Sequence, residues 1–381
     1  MNRFSIIYCL LILLNTQVFG QQRLSTKSKK AAELYYQADN FRVRGQYAAA
    51  IDLLNQAIKK DDKFYEAYFR LGVIRKAKGD LKEAEELLLK VLELDNDNAG
   101  AFFELSELNL KLGRYQESLE YINSYFSLNP RNSRRIAEAK TISGSAQFGI
   151  ENAKTISEFN PRALSPTVNR FAMQYFPIVT VDQRSIIYTR RLGTTINADE
   201  DIVISYKDDN GEWQAPESIS QNINTEFNEG TCTISADGRT LILTSCVGRK
   251  GFGSCDLFIS YKYGEEWTAP LNLGSNINSS SWDSQPSLSA DGRTLYFVSN
   301  RRGGVGRRDI WVSYKDDNDQ WSKAKNLGRK INSVNDEVSP FIHPNNKTLY
   351  FASNGWPGFG GLDIFYSNRD STQWQAPENF G

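Results

Sequence analysis

PSLSADGRTLYFVSNRRGGVGRRDIWVSYKDDNDQWSKAKNLG, residues 286–328, decides the fold of the second half of the chain. It contains an Asp-Gly turn, the apolar run TLYFVS at 294–299, a glycine-rich loop and a second apolar run, DIWVSY, at 309–314. β-Branched and aromatic residues on both sides of each run favour strands that are buried on both faces, and Asp-Gly favours a hairpin turn. A polar turn precedes a fourth short strand, expected to open at Trp321. The stretch therefore predicts an antiparallel meander of four strands.

The same pattern occurs four times along the chain, beginning near residues 175, 231, 286 and 340. Three kinds of marker residue recur at steps of 53 to 55 residues. The markers are Asp182, Asp237, Asp291 and Asn345; Asp201, Asp256, Asp309 and Asp363; and Trp213, Trp267, Trp321 and Trp374. Four strands per unit at this period are typical of a β-propeller, in which each blade is packed between two others. The repeated aspartates at the start of the third strand are expected to fasten loops rather than to catalyse a reaction.

Residues 29–149 instead follow a helical period and repeat every 34 residues. Gly45, Gly79 and Gly113 are each followed two positions later by Tyr or Leu, and five positions later by Ala or Ser. Each glycine is expected to end one amphipathic helix and to open a turn into the next helix. The small residues mark positions where two helices cross closely. The chain is therefore predicted to be a multidomain protein, an α-solenoid followed by an all-β propeller.

This helix-turn-helix repeat resembles the tetratricopeptide family over three repeats, residues 31–130. Gln37 departs from the family pattern, and residues 133–148 are expected to form an added helix that caps the stack. The resemblance implies a concave groove that holds peptides or helices of partner proteins. The positions that would line it are Tyr35, Asp39, Arg42, Phe69, Val73, Lys76, Phe103, Glu107 and Lys111. The alternative is a stack that serves only as a spacer or docks onto its own propeller.

Composition excludes several classes of function. Lys plus Arg and Asp plus Glu number 45 each, so no net charge attracts nucleic acid or an anionic membrane. A single histidine argues against a histidine-based catalytic triad and rules out a multi-histidine metal site. No G-x-S-x-G nucleophile elbow is present. We therefore expect no enzyme activity, no catalytic residues, no metal and no cofactor.

The first 20 residues have the pattern of a secretory signal peptide. Arg3 supplies the positive start, residues 6–14 form the apolar core, and Val18-Phe19-Gly20 fits a cleavage site. The apolar core is too short to span a bilayer, and no transmembrane segment is expected after its removal. The sequence thus predicts export, to the periplasm if the cell is Gram-negative.

Export leaves three cysteines, Cys232, Cys246 and Cys255, all in the second repeat. Cys246 ends one predicted strand and Cys255 begins the next, so a disulfide could pin that hairpin in an oxidising compartment. Three buried thiols are the alternative. A second cluster lies in the third repeat, where one loop carries Arg301, Arg302, Arg307 and Arg308. These arginines either bind an anionic partner or are simply solvated.

The propeller motif, S-x-D-G-R-T-L-Y-F-x-S-N-R-x-G-G-x-G-x-x-D-I-W, resembles the TolB-like propeller repeat of bacterial envelopes. The third repeat matches it fully, whereas the first lacks the glycine-rich loop. A signal peptide, tetratricopeptide repeats and a TolB-like propeller, in that order, resemble a cell-envelope family of Gram-negative bacteria, especially Bacteroidetes. Many members of that family continue into an OmpA-like domain that grips peptidoglycan, and one is a type IX secretion subunit. No OmpA-like segment is present here.

The domains expected are a signal peptide (1–20), tetratricopeptide repeats with a capping helix (29–149), a linker (150–174) and the propeller (175–381). The linker contains Pro161 and Pro166 and could supply an orphan outer strand. Residues 379–381 stop where earlier repeats continue, which suggests a fragment of a longer chain. The function expected is a non-enzymatic cell-envelope scaffold that binds partner proteins through the tetratricopeptide groove and one face of the propeller, in an outer-membrane or secretion assembly. Its partners would be envelope proteins, including peptidoglycan-associated or outer-membrane complexes. The alternative is a propeller that binds a small ligand or glycan in its central funnel.

Overall fold

The computed structural model of the protein describes residues 24–154, 160–193, 198–370 and 373–381. The predicted signal peptide lies outside these residues. The chain divides into two compact units, Met1–Glu104 and Leu105–Gly381. None of the helices in the described ranges combines the length and the apolar character needed to cross a bilayer.

The first unit is built from paired antiparallel helices. Its core contains large apolar side chains from every helix pair, among them Leu34, Leu54, Phe64 and Leu71. The helices are α1 (Lys29–Val43), α2 (Tyr47–Lys60), α3 (Tyr65–Lys78), α4 (Leu81–Leu94) and the start of α5 (Ala99–Lys111).

The helix ends follow from local chemistry. The Ser28 hydroxyl accepts a hydrogen bond from the Ala31 amide at 3.2 Å and so caps the start of α1. Gly79 ends α3 with a φ of 88°, a left-handed conformation that a side chain would strain. A Cβ atom on Gly72 would lie 3.1 Å from Leu88, so a small residue lets α3 and α4 approach. Ala50 and Ala84, two of the predicted crossing residues, are fully buried.

Two further helices belong to the second unit, α6 (Tyr115–Ser127) and α7 (Ser133–Asn152). Ser118 is fully buried, and its hydroxyl donates a hydrogen bond to the Ser106 carbonyl oxygen at 2.8 Å. The third predicted crossing residue thus ties α6 to α5. The expected capping helix begins at Ser133, as predicted, and continues to Asn152. Asn132 caps its start by accepting from the Arg135 amide at 3.0 Å.

Four antiparallel sheets follow, in a β-propeller-like arrangement. Sheet 1 contains β1 (Met173–Val179), β2 (Ser185–Arg191), β3 (Glu200–Tyr206) and β4 (Glu217–Ser218). Sheet 2 contains β5 (Glu229–Ile234), β6 (Thr240–Ser245), β7 (Asp256–Tyr263), β8 (Glu266–Trp267) and β9 (Leu271–Asn272). Sheet 3 contains β10 (Asp283–Leu288), β11 (Thr294–Ser299), β12 (Asp309–Tyr314) and β13 (Lys325–Asn326). Sheet 4 contains β14 (Glu337–Ile342), β15 (Thr348–Ser353), β16 (Asp363–Asn368) and β17 (Glu378–Asn379). Sheets 1, 3 and 4 are meanders in which neighbouring strands in sequence pair in space, and sheet 2 follows the same order except that β9 pairs with β7.

Separate apolar cores lie between successive sheets. Ile187 and Ile202 of sheet 1 pack with Leu243 and Phe258 of sheet 2. The cores between sheets 2 and 3 and between sheets 3 and 4 use equivalent positions. This explains why the central strands are apolar on both sides, as the sequence indicated.

Two details differ from the sequence-based expectation. The fourth strand of sheet 3 begins at Lys325, because Trp321 instead forms an isolated bridge with Lys315. No strand occurs among the described linker residues 160–172. In its place, the loop residues Val168 and Phe171 pack against Ile186, Tyr188 and Val203 of sheet 1.

Candidate functional site

The exposed faces of α1 and α3, the first helices of two repeats, carry a network of charged and aromatic side chains. The Asp39 carboxylate lies 2.8 Å from the Arg42 guanidinium and 3.0 Å from that of Arg70. Arg70 also donates to the Tyr35 hydroxyl at 2.9 Å, and its guanidinium lies 5.6 Å from the centre of the Tyr35 ring. Asp39, Arg42 and Arg70 are each partly exposed, so the network presents oriented donors and acceptors at the surface.

The remaining predicted groove residues of the first unit differ in accessibility. Phe69 and Val73 are half-buried, whereas Phe103 is only 3% exposed. Lys76 forms an ion pair with the buried Glu104 carboxylate. The Phe69 ring lies where a Cβ atom on Gly100 would approach to 3.0 Å, so it packs closely over α5. The accessible part of this surface is therefore Asp39, Arg42, Phe69, Arg70 and Val73.

Two predicted groove residues, Glu107 and Lys111, belong to the second unit. Both lie exposed on α5. Their contact with a partner protein remains a prediction.

The four arginines of the third-repeat loop have different environments. Arg301 is largely buried, lies 2.5 Å from the Asp283 carboxylate and stacks over Phe297 and Trp311. Arg307 donates to Glu138 of α7 at 2.8 Å, and Arg308 to Asp336 at 2.9 Å. Arg302 is exposed. The structure thus uses Arg301, Arg307 and Arg308 in contacts within the second unit.

Equivalent backbone carbonyl groups accept a side-chain hydrogen bond from three successive repeats, but the donor is not always the same type of residue. Arg249 donates to the Ile223 carbonyl oxygen at 2.5 Å, and Arg301 to that of Ile277 at 2.6 Å. In the fourth repeat the Trp356 indole N–H donates to the Ile331 carbonyl oxygen at 2.8 Å. The tryptophan replaces the hydrogen bond of the arginine but not its charge.

The two arginines also lie close to buried carboxyl groups, and the equivalent carboxyl group of the fourth repeat is bound differently. Arg249 lies 3.5 Å from Glu229, and Arg301 pairs with Asp283, whereas Glu337 is held by the hydroxyls of Ser333 and Ser353. Burial raises the pKa of Glu337 to about 7. Burial also raises the pKa of Glu229, although hydrogen bonds from Thr225 and the nearby Arg249 act in the opposite direction.

Three of the four repeated aspartates, Asp256, Asp309 and Asp363, accept hydrogen bonds from amides of the preceding loop, whereas Asp201 pairs with Arg190 at 2.7 Å. Asp256 accepts from the amides of Phe252 and Gly253 at 2.5 and 3.1 Å, and Asp309 accepts from Val305 and Gly306 at 2.5 and 3.0 Å. Each also accepts from an asparagine of the outermost strand. Asp256 and Asp309 thus tie their glycine-rich loops to the outermost strand of the same sheet.

A cavity of about 590 Å³ lies where the innermost strands of the four sheets converge. Its walls come from residues 176–181, 231–236, 285–288 and 339–342. Prolines, aliphatic side chains and Phe341 make the wall mainly apolar, with hydroxyl groups from Thr231, Thr233 and Ser287. Such a cavity suits a small molecule with an apolar body and a few hydrogen-bonding groups.

Side chains of one inner strand bind backbone amides of the next, and we call these four contacts the inner-strand bonds. Thr231 Oγ1 accepts from the Gln285 amide at 3.1 Å, and Gln285 Oε1 accepts from the Ser339 amide at 2.8 Å. Thr233 Oγ1 accepts from the Leu288 amide at 3.1 Å, and Ser287 Oγ accepts from the Ile342 amide at 3.0 Å. Gln285 and Ser339 lie at bulges of β10 and β14, where the regular pairing of each strand with its own sheet is interrupted.

The cysteines of the second repeat fall into two classes. Cys246 and Cys255 form a disulfide, with an S–S distance of 2.14 Å, across the glycine-rich loop between β6 and β7. Cys232 is a buried thiol, and burial raises its pKa to about 12. No group of three or more His, Cys, Asp or Glu in the described part of the chain is placed to hold a metal ion.

Helix α7 contacts the loop that joins β15 and β16, a contact of the kind raised by the alternative that the helical stack docks onto its own propeller, although the sequence did not indicate which residues take part. The Gly358 amide donates to Ser145 Oγ at 3.3 Å, and Pro357 lies against Gly144. The Phe359 ring packs against Tyr115 and Phe148, with ring centres 6.5 and 5.0 Å apart. Helices α6 and α7 therefore form part of the same compact unit as the sheets. In the sequence, the glycines and aromatic residues at positions 355–361 were the feature that could have indicated a loop packed against another element.

Comparison with known families supports the helical repeats. Two models described as tetratricopeptide repeat match residues 35–99 and 77–141. The N-terminal helices are thus tetratricopeptide repeats, and the four-bladed propeller-like region follows them.

Curated relatives match the same half of the chain. The BBSome complex member BBS4 of Bos taurus is 28% identical over 137 residues, covering 32% of this chain and 26% of its own. The DnaJ homolog subfamily C member 3 of Gallus gallus is 30% identical over 133 residues, covering 35% of this chain and 25% of its own. This chain spans about a quarter of the length of either relative.

Solved structures give similar partial matches. The tetratricopeptide domain of Sgt2 from Aspergillus fumigatus is 16% identical, with a TM-score of 0.31, and the match covers 36% of this chain and 90% of that domain. The TPR2B domain of yeast Sti1 is also 16% identical, with a TM-score of 0.30, over 32% of this chain and 98% of that one.

Proposed function

We propose that this protein is a non-enzymatic scaffold of the bacterial cell envelope that binds a partner protein through the accessible face of α1 and α3. The observation that carries the proposal is the partly exposed network of Asp39, Arg42 and Arg70 on two tetratricopeptide repeats. Such repeats are protein-interaction modules. The fixed guanidinium groups suit carboxylates on a partner segment, because arginine binds carboxylates with two parallel hydrogen bonds.

The envelope location is part of the proposal. It is supported by the signal-like pattern of residues 1–20, by the TolB-like repeat motif and by the Cys246–Cys255 disulfide, which suits an oxidising compartment. A role in an outer-membrane or secretion assembly, including one of the type IX kind, rests on the family resemblance.

The test is a pair of substitutions on the accessible face. Arg42→Glu with Val73→Glu should abolish recovery of protein partners from the envelope fraction, because it reverses one charge and places another on a half-buried apolar position. Phe103 is unsuitable for this purpose, since its burial means that truncation would destabilise the repeat.

A matched control lies at the C-terminal end of α1. Val43 is 71% exposed and Arg44 is exposed, so Val43→Glu with Arg44→Glu changes the same charges away from the network. Circular dichroism should show both variants folded. Unchanged partner recovery with the Arg42 and Val73 variant would contradict this binding surface.

A second function is favoured by the cavity between the inner strands. Its volume and its mixture of apolar wall and hydroxyl groups support binding of a small ligand or glycan. A shift in unfolding temperature with an envelope sugar, reduced by Ser287→Phe, would support it. Equal shifts for both proteins, or none for either, would count against it.

A further inference from the structure

Among the described residues, the second unit repeatedly neutralises a buried carboxylate with a single arginine. The arginine and carboxylate lie 2.5 to 3.5 Å apart in these pairs, and the carboxylate side chain is at most 11% exposed. The pairs are Arg190 with Asp201, Arg249 with Glu229, Arg301 with Asp283, and Arg308 with Asp336. One guanidinium group is therefore enough to hold one buried carboxylate in this fold.

Glu138 of α7 departs from this rule. Its side chain is 10% exposed, and one oxygen, Oε1, lies 2.8 Å from Arg307 and 3.5 Å from Arg134. The other oxygen, Oε2, lies 3.8 Å from Arg135. Three guanidinium groups thus surround a carboxylate of the kind that one neutralises elsewhere. We call these four residues the Glu138 cluster.

Two of these arginines remain accessible to a ligand. The side chains of Arg134 and Arg307 are 69% and 50% exposed, more than the arginine of any single pair above. Both contact the same oxygen of Glu138, so their two nitrogen atoms can be no further apart than the sum of these two distances. A guanidinium group has several N–H donors in one plane, and Glu138 engages one nitrogen of each. Donors of both groups are therefore left side by side at the surface.

The placement of Arg134 and Arg135 also works against the stability of α7. Both lie in the first turn, which has no acidic residue, and the last turn has no basic residue. Helices α2 and α3 instead carry basic residues in their last turn, where the helix macrodipole favours cations. Residues 131–140 contain four basic residues and one acidic residue, although the whole chain has no net charge. Cations beyond those that Glu138 requires, at a position that local stability disfavours, indicate a functional site.

We infer that the Glu138 cluster binds a phosphate group, carried by a soluble molecule or by a lipid headgroup, between Arg134 and Arg307. A phosphate monoester has three acceptor oxygens and a charge of about −1.5 to −2. Arginine binds phosphate with parallel hydrogen bonds, and two adjacent guanidinium groups can bind separate oxygens of one phosphate. A carboxylate has fewer oxygens and a single charge, and Glu138 already supplies one.

Glu138 has a definite part in this site. Its contacts fix Arg134 and Arg307 before a ligand arrives, which lowers the cost of ordering two long side chains on binding. The site uses α7 and the third-repeat loop, whereas the proposed protein-binding face uses α1 and α3. Failure of either proposal therefore leaves the other unaffected.

The test is isothermal titration calorimetry of the full chain with inorganic phosphate at constant ionic strength. The wild-type protein should bind phosphate, and Arg134→Gln should weaken the affinity about tenfold, because hydrogen bonds to a charged group are lost. Arg184→Gln is the matched control, at a 61% exposed arginine that also pairs with a carboxylate, and should bind as the wild type does. The Arg134 side chain is largely exposed, so circular dichroism should show its variant folded.

A second variant tests the electrostatic argument. Glu138→Gln keeps an acceptor for Arg307 but removes the negative charge, so the folded variant should bind phosphate more tightly than the wild type. Acetate, with a single charge, should not displace phosphate at equal concentration. Three results would each overturn the inference: no phosphate binding, an equal loss in the Arg134 and Arg184 variants, or weaker binding by folded Glu138→Gln.

Vesicles distinguish the two sources of the phosphate group. Phosphatidic acid in phosphatidylcholine vesicles presents a phosphate monoester at the surface, whereas phosphatidylcholine alone does not. Co-sedimentation with the first vesicles only, reduced by Arg134→Gln and by added inorganic phosphate, would identify a lipid headgroup. Calorimetric binding without co-sedimentation would identify a soluble phosphorylated molecule.

Discussion

Glu229, Asp283 and Glu337 occupy the same position in three successive repeats, 54 residues apart, but only the first two have an arginine nearby. In the fourth repeat Trp356 takes over the hydrogen bond to the carbonyl oxygen and leaves Glu337 with hydroxyl and amide donors alone. Glu337 is fully buried. Burial raises the pKa of Glu337 to about 7, and its hydrogen-bond partners are hydroxyl and amide donors rather than an arginine.

This difference predicts a pH-dependent stability of the sheet 4 core. The pKa of Glu337 is raised from 4.5 to about 7, so between these values the native state holds a proton that the unfolded state releases. Stability should fall as pH rises through this window, by on the order of 3 kcal/mol in total. Glu337→Gln cannot ionise and should flatten the dependence, measured by urea unfolding at pH 5, 6, 7 and 8.

The control for this experiment is His343→Asn, which removes the only histidine of the chain from an exposed turn. It should keep the wild-type dependence on pH. If wild-type protein and Glu337→Gln lost stability equally between pH 5 and 8, Glu337 would not be the titrating group.

Residue roles were predictable only where the partner lies nearby in sequence. The loop-fastening role of Asp309 could be predicted, because its donors lie three and four residues away. The burial of Arg301 could not, since the residues that bind it, Asp283 and Ile277, lie 18 and 24 residues away in other strands and loops. Its position in an arginine-rich loop suggested a surface role instead.

At the scale of elements, the contact between α7 and the loop at residues 355–361 depends on close approach. A Cβ atom on Gly149 would lie 2.4 Å from the Tyr115 ring, which packs in turn against Phe359. The glycine lets α6 and α7 approach and leaves both aromatic rings in place. The apolar contact then holds the loop of sheet 4 against the helix.

Gly149→Val should therefore destabilise the second unit by about 1–3 kcal/mol, the usual range for overpacking a core. The reason is that the Tyr115 ring must move and disturb its contact with Phe359. The free energy of unfolding from urea titration is the measurement. Gln147→Val, on an exposed position of the same helix, is the matched control and should change it by much less. Equal effects would mean that the Tyr115 contact does not matter.

Elements were more predictable than their associations. Repeat spacing predicted four meanders, and the 34-residue period predicted helix pairs whose turns lie at Gly45, Gly79 and Gly113. The ion pair of Glu138 with Arg307 joins residues 169 positions apart, and the arginine-rich loop that contains Arg307 gave no sign of its partner on α7. Contacts of that kind depend on the final geometry of two elements, which local patterns do not specify.

At the scale of the whole second unit, burial decreases in the last sheet. The central strands of sheets 2 and 3 are buried on both faces, whereas β15 and β16 alternate between buried and partly exposed residues. The fourth sheet is thus less buried than sheets 2 and 3, although the sequence of all three follows the same repeat.

Hydrogen exchange should reveal this inequality. Amides of β6, β7, β11 and β12 should exchange about tenfold or more slowly relative to those of β15 and β16, because local opening is easiest where few side chains are buried. Peptide-level mass spectrometry of the isolated protein measures it. The isolated Ile364→Glu variant is the control and should keep the same pattern, since Ile364 is 55% exposed. Uniform protection across the four sheets would show that the fourth is as tightly held as the others.

The inner-strand bonds have a consequence for how such a chain can change over generations. In all four bonds donor and acceptor are 54 or 55 residues apart; the second repeat carries the acceptors for amides of the third, and the third carries those for amides of the fourth. When a gene segment encoding one whole repeat is duplicated or deleted, the new junction already has matching groups on both sides. A shift of one residue, in contrast, would place every acceptor on the wrong face of its strand. Related proteins should therefore differ in the number of whole repeats and in the length of their loops. The residues that form these bonds should keep their positions within each inner strand.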